Sequence, residues 1–266
     1  MLLDAFMAFD PVAWGIDLHP FPVFQSGVVF LGYLVLGVTG FGSALIIIPL
    51  LVWQWPLTLV VPLVLMMDIP TSLLHTGLNF REVAWRELPR LLPAVVVGAL
   101  SGAVLIQITS GHGLLAVLGL YVTWIGVRGL KASGPFVHST GKLAQNTAGF
   151  SMGLIESMFG TAGPVVMMWL SRRLENPHAL RATMPITILM LSSMALVSVA
   201  LAGNLNQPEI WHSVLILMPS AFLGVWCGHR LAMRVNPQTL KPIIFGLLGL
   251  SGAVLTLRAV MLVIRA

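Results

Sequence analysis

Residues Leu57–Leu78 run for 22 positions with one charged side chain, Asp68. Similar apolar runs cover residues 88–109, 112–130, 183–201, 211–231 and 242–259. About 18 to 20 such residues are enough for a helix to cross a bilayer. In lipid, each backbone polar group must be satisfied within its own segment, so an apolar run of this length folds as a helix. Only 9% of the residues are charged and 57% are hydrophobic, with a mean hydropathy of +0.94. A soluble domain carries about 25% charge to keep its surface wet. The expected fold class is therefore an all-α polytopic membrane protein.

The basic pI of about 10.1 does not indicate nucleic acid. Most Lys and Arg residues sit in four short clusters between apolar runs: Arg81/Arg86/Arg90, Arg128/Lys131/Lys142, Arg172/Arg173/Arg181 and Arg230/Arg234/Lys241. Clusters of this kind set the orientation of membrane helices. The single cysteine, Cys227, excludes an intrachain disulfide and reads as a small packing residue. The start of the chain holds Asp4, Asp10 and Asp17 and no basic residue, so it does not read as a signal peptide. Leu2, Leu3, Phe6, Phe9 and Trp14 suit a short helix lying on the membrane surface.

The two halves echo each other. Trp85, Pro93, Gly98 and Gly102 recur 126 positions later as Trp211, Pro219, Gly224 and Gly228. Phe41-Gly42 recurs as Phe159-Gly160, and Pro62 pairs with Pro185. Matches in one order, at a slowly growing offset, indicate a duplication. The expected organisation is an interfacial segment at 1–23, membrane repeats at 24–131 and 143–266, and a cytoplasmic linker at 132–142, all in one membrane domain.

Each repeat opens with a hydrophobic segment broken by small residues: Thr39-Gly40-Phe41-Gly42-Ser43-Ala44 in the first and Phe159-Gly160-Thr161-Ala162-Gly163-Pro164 in the second. The arms around the first break, residues 24–38 and 42–53, would span about 22 and 18 Å as helices. Neither crosses a core of about 30 Å. Each broken segment is then a tilted, kinked helix or a re-entrant hairpin. Two hairpins would put all four basic clusters on the cytoplasmic side, as the positive-inside rule favours. Each repeat would then hold a hairpin and three crossings. An odd number of crossings inverts the second repeat, which is the plan of many secondary transporters.

The broken first helix with Gly40, Gly42 and Pro49, followed by Pro93, Gly98 and Gly102 at Pro-x4-Gly-x3-Gly spacing and repeated in the second half, resembles the TauE/SafE family of membrane transporters. The resemblance extends from about Phe24 to Ala259. It implies a multi-pass protein of a bacterial-type inner membrane that exports or exchanges sulfur-containing anions such as sulfite, sulfoacetate and other organosulfonates. Many members carry a longer glycine run at the first break, where this chain has Phe41-Gly42-Ser43-Ala44.

The breaks are the expected substrate site. Free N–H groups and the positive dipole end make a helix N-terminus an anion site. Thr39, Gly40, Phe41, Gly42 and Ser43 in one repeat, and Phe159, Gly160, Thr161, Ala162 and Gly163 in the other, would bring N–H groups and hydroxyls to the midplane. The alternative is that these glycines serve only close helix packing. Asp68, Ser72, His75 and Asn79 share one helix face, which is expected to look onto a cavity. A charged Asp at mid-membrane costs about 2.5–3.5 kcal/mol. An ionised carboxylate on an anion path repels its cargo and a protonated one does not, so Asp68 is expected either to couple transport to H⁺ or to hold a backbone group loosened by Pro70. Glu156, four residues before Gly160, is the second coupling candidate. Thr187 is a candidate lining group, with Thr183 and Ser192 beside it, and Arg181 is expected to anchor the cytoplasmic side.

No Walker-type phosphate loop, HExxH or paired catalytic Asp pattern is present. The chain is read as a non-enzymatic secondary transporter of small anions, with no cofactor or metal. Its partners are the anion and the bilayer, and a homodimer is compatible with this plan. The competing readings are a passive anion channel and a carrier of another organic anion such as a carboxylate.

Overall fold

The computed structural model describes residues 23–78, 80–108, 117–124, 127, 141–174, 176–201, 205, 208–234 and 253. Among these the elements are helical throughout: α1 Val23–Thr39, α2 Ser43–Leu51, α3 Leu57–Leu78, α4 Leu88–Ile108, α5 Lys142–Phe159, α6 Gly163–Leu170, α7 Pro177–Leu201 and α8 Pro208–Ala232. Two 3₁₀ turns, Phe80–Glu82 and Trp85–Glu87, join α3 to α4. Leu57–Gly77, Trp85–Ile106, Ala179–Leu201 and Ile210–Ala232 are long and apolar enough to cross a membrane. The protein is a polytopic helical membrane protein. Of the expected third crossings, residues 117–124 and 127 are helical. The rest of 112–130, nearly all of 242–259, the segment before Val23 and most of the 132–142 linker lie outside the described residues.

α7 starts at Pro177, ahead of the expected residue 183. The Leu180 N–H bonds to the Asn176 carbonyl at 3.0 Å. Proline is well suited to the first helical position because its missing N–H would have no partner there. The polar residues His178 and Arg181 had masked this first turn in the hydropathy pattern.

The first broken segment folds back on itself. The Gln25 Nε2 group, near the start of α1, donates to Gln54 Oε1, just after α2, at 2.7 Å. A side chain at Gly32 would collide with Ile47 and lie 2.9 Å from the Ser43 carbonyl. In one continuous helix, residues 32 and 43 would be about 16 Å apart. The second segment does the same at the other end of the bundle. The Gln145 side chain donates to the Arg90 carbonyl at 2.7 Å, and the Arg173 guanidinium pairs with Glu87. Both feet of the α5–α6 hairpin therefore rest at the start of α4, whereas those of the α1–α2 hairpin rest at the start of α3. α4 starts where α3 finishes, so the feet lie at opposite ends. Arg81, Arg86, Arg90, Lys142, Arg172, Arg173, Arg230 and Arg234 fall at the α4-start end, with Arg181 one turn inside.

Each glycine-paired helix packs on the first hairpin arm of the other half. A methyl group at Gly98 would strike the Phe150 carbonyl, and one at Gly102 would lie 2.8 Å from the Leu154 carbonyl. In the counterpart contact, Gly224 would place it 2.6 Å from the Phe30 carbonyl, and Gly228 on the Leu34 carbonyl. Residue numbers rise together in both contacts, so α4 lies parallel to α5, and α8 to α1. Small residues let backbones approach this closely, which substitutes for the hydrophobic drive that lipid does not supply.

Candidate functional site

Glycine is required where the hairpins turn. Gly40, Gly42 and Gly160 have φ of +85°, +96° and +62°, in the left-handed region that side chains disfavour. These turns let α2 and α6 start abruptly, and neither start has a side-chain cap. The two breaks touch. A Cβ at Gly163 would lie 3.0 Å from the Phe41 ring. Gly160 faces Ile48 and Leu65 at 3.3 and 3.9 Å by the same measure, and Gly40 faces the Arg181 carbonyl, Met184 and Pro185 at 3.0, 3.3 and 3.6 Å. Each break thus rests on the long helix of the other half. Leu65 and Asp68 are close to the centre of the Leu57–Gly77 span, so Gly160 and Ser43, which meet them, are at mid-span, and Gly40 lies nearer the basic end.

Asp68 is 1% exposed. Its Oδ1 accepts from the Tyr33 hydroxyl at 2.9 Å and from the Ser43 hydroxyl at 3.0 Å. One carboxyl oxygen thereby joins α1, the first residue of α2, and α3. Glu156, equally buried, does the matching work in the second half. Its Oε2 accepts from the Ala162 N–H at 2.9 Å, and its Oε1 from the Ser192 hydroxyl at 2.6 Å. The roles are exchanged between halves. In the first, the carboxyl sits on the helix after the hairpin and the hydroxyls on the hairpin. In the second, the carboxyl sits on the hairpin and the hydroxyl on the following helix.

Several expected ligand donors are already engaged. The Gly160 N–H bonds to the Glu156 carbonyl at 2.7 Å, and the Ala162 N–H to its carboxyl. The helix's own backbone takes the first of these donors and the nearby carboxyl the second. The Thr39 hydroxyl is a strut inside its own turn, 2.9 and 2.7 Å from the Val35 and Phe41 carbonyls. The Thr187 hydroxyl bonds back to the Thr183 carbonyl at 2.8 Å, as Thr does in helices. Phe159 is core, 3% exposed. The donor set left at the junction is the uncapped start of α2 at Gly42–Ser43–Ala44, with the Ser72 and Thr161 hydroxyls, both buried and without a protein partner.

The polar face of α3 meets α1. Asp68 meets Tyr33, and the His75 Nε2 group donates to the Gly37 carbonyl at 3.2 Å. Asn79 lies outside the described residues. Sequence reasoning missed Tyr33 and Tyr121, the only two tyrosines in the chain. The Tyr121 hydroxyl donates to the Thr161 carbonyl at 2.9 Å, so each tyrosine supports one break. The signal was available: interfacial belts hold tyrosine at segment ends, and these two lie within apolar runs.

A sequence profile described as Sulfite exporter TauE/SafE matches residues 26–255. The chain is 37% identical over 194 residues to the "Probable inner membrane transporter protein TsaS" of Comamonas testosteroni, covering 73% of this chain and 81% of that protein. It is 26% identical over 245 residues to the "Probable sulfite/organosulfonate exporter TauE" of Cupriavidus necator, covering 89% and 90%. No solved structure gives a significant match.

Proposed function

Because the chain belongs to the TauE/SafE family, we propose that it is a secondary transporter that binds a small sulfur oxyanion or organosulfonate where the two breaks meet. The observation that carries this reading is the contact of Phe41 with Gly163 within the bundle, beside an uncapped helix start. Free N–H groups at such a start stabilise negative charge, and in a low-dielectric site they do so more strongly than in water. The halves are read as inverted repeats, supported by hairpin feet at opposite ends and by exchanged glycine contacts. The basic end is read as cytoplasmic in an inner membrane, as the name of the Comamonas relative suggests.

Asp68 supplies the coupling in this scheme. As an ionised acceptor it holds the Ser43 hydroxyl proton and sets a negative charge beside the site. Protonation removes that charge and frees the Ser43 hydroxyl to turn to the anion. Binding of anion and proton then favour each other, and release of one promotes release of the other. The direction is read as export, on the name of the Cupriavidus relative.

Reconstitution into proteoliposomes tests the reading. With an imposed pH gradient, sulfite or sulfoacetate is expected to move uphill, with carboxylates such as acetate much slower. Mere dissipation of the anion gradient would establish a channel, and uphill movement of carboxylates alone would reject the sulfur-anion assignment.

A further inference from the structure

Two nitrogen-bearing side chains from two helices converge on one carbonyl near the basic end, and a third from another helix stands beside them. The Gly37 carbonyl, in the last turn of α1, accepts from the Arg181 guanidinium at 3.1 Å and from His75 Nε2 at 3.2 Å. The His229 ring stands edge-on to His75, with centroids 5.8 Å apart. A terminal helix carbonyl needs one such donor, so capping α1 accounts for part of this arrangement only. His75 Nδ1, His229 Nδ1 and Arg181 Nε are all buried without a protein partner, and His75 is 0% exposed. Leaving a buried polar atom unmade costs about 1–3 kcal/mol, which three adjacent helices incur together at one place.

We propose that His75, His229 and Arg181 form a second oxyanion site, about 10 Å along α3 from Asp68. Arg181 supplies a permanent charge through Nε–H, and the two Nδ1 atoms complete the donors. The Gly37 carbonyl can only accept, so His75 already carries its proton on Nε2, and Nδ1 donates once the ring takes up a second proton. Oxyanion binding here therefore brings a proton with it. The charged groups around the site are Arg181 on α7, His229 on α8 and Glu82, the acid that interacts with Arg181 from the 3₁₀ turn; α1 contributes only the carbonyl. Resting on the anion-carrier reading for its role, this site would hold cargo at the basic end before or after the junction.

Isothermal titration of the full chain, delipidated in neutral detergent, with sodium sulfate and with sodium methanesulfonate tests this. The expected result is two binding events. Arg181→Gln and His229→Gln should each weaken one by at least tenfold and leave the other, while Ser43→Ala should do the reverse. His229 makes no protein hydrogen bond through its ring and is half-buried, so its variant serves where Arg181→Gln fails to fold. A single event, lost in Ser43→Ala and unchanged in His229→Gln, would overturn the proposal. Binding that depends on Arg181 and His229 but appears only with phosphatidylglycerol bicelles would keep the oxyanion site and assign its occupant as a lipid phosphate. Intact two-site binding without carrier flux would reject the transport reading and leave this site standing.

Discussion

Asp68→Asn is expected to keep the fold and anion binding and to lose the dependence of flux on pH, whereas Asp68→Ala loses both stability and flux. The asparagine carbonyl can accept from Tyr33 and Ser43 as the carboxyl oxygen does. It cannot take up or release a proton. Alanine leaves two buried hydroxyls unpaired, at about 1–3 kcal/mol each, and detaches the start of α2 from α3. Thermal unfolding in detergent separates the variants, with Asp68→Asn close to wild type and Asp68→Ala clearly lower. Proteoliposome flux measured at several external pH values then reads the coupling. An Asp68→Asn protein that keeps the wild-type pH profile would remove Asp68 from the coupling step and leave it a structural clamp.

Gly98→Ala and Gly228→Ala are expected to destabilise the protein by about 3 kcal/mol each. At both positions the new methyl would meet a backbone carbonyl, of Phe150 and of Leu34 respectively, and backbone in a packed helix pair cannot step aside as a side chain can. Gly27→Ala is the contrast. Nothing lies within 4 Å of a Cβ there, and removing a helical glycine typically gains about 0.5–1 kcal/mol. Thermal unfolding of the three variants checks the set. Equal behaviour of Gly98→Ala and Gly27→Ala would mean that the close α4–α5 contact does not hold the hairpin in place.

Much of the bundle was legible because lipid imposes simple rules. Apolar length announced α3, α4, α7 and α8, and the arms at 24–38 and 42–53 were too short to cross. Charge placement favoured hairpins over kinked crossings, and the Gln25–Gln54 bond closes the first of them. The glycines at 98, 102, 224 and 228 were visible as a duplication. Their partners were not, since the sequence holds no trace of which helix lies across the contact. The site was read less completely. Glycine breaks show where a chain turns, but not which N–H groups remain free after it has turned. Glu156 was legible as a buried acid near a break, yet its capture of Ala162 depends on a rotamer. Tyr33 is 35 residues from Asp68, and no local pattern links them. His229 looked like an ordinary helix-end histidine until α8 brought it beside His75.

The account depends on two hairpins that enter from opposite faces and touch where they turn, as an inverted repeat requires. Thiol labelling in intact cells addresses this most directly, with single cysteines at Trp53 and Lys142 in a Cys227→Ala background. Trp53 follows α2 and Lys142 begins α5, so each marks the foot of one hairpin. The predicted result is that an impermeant maleimide labels Trp53→Cys from outside and reaches Lys142→Cys only after the membrane is opened. Labelling of both from the same side would contradict the account.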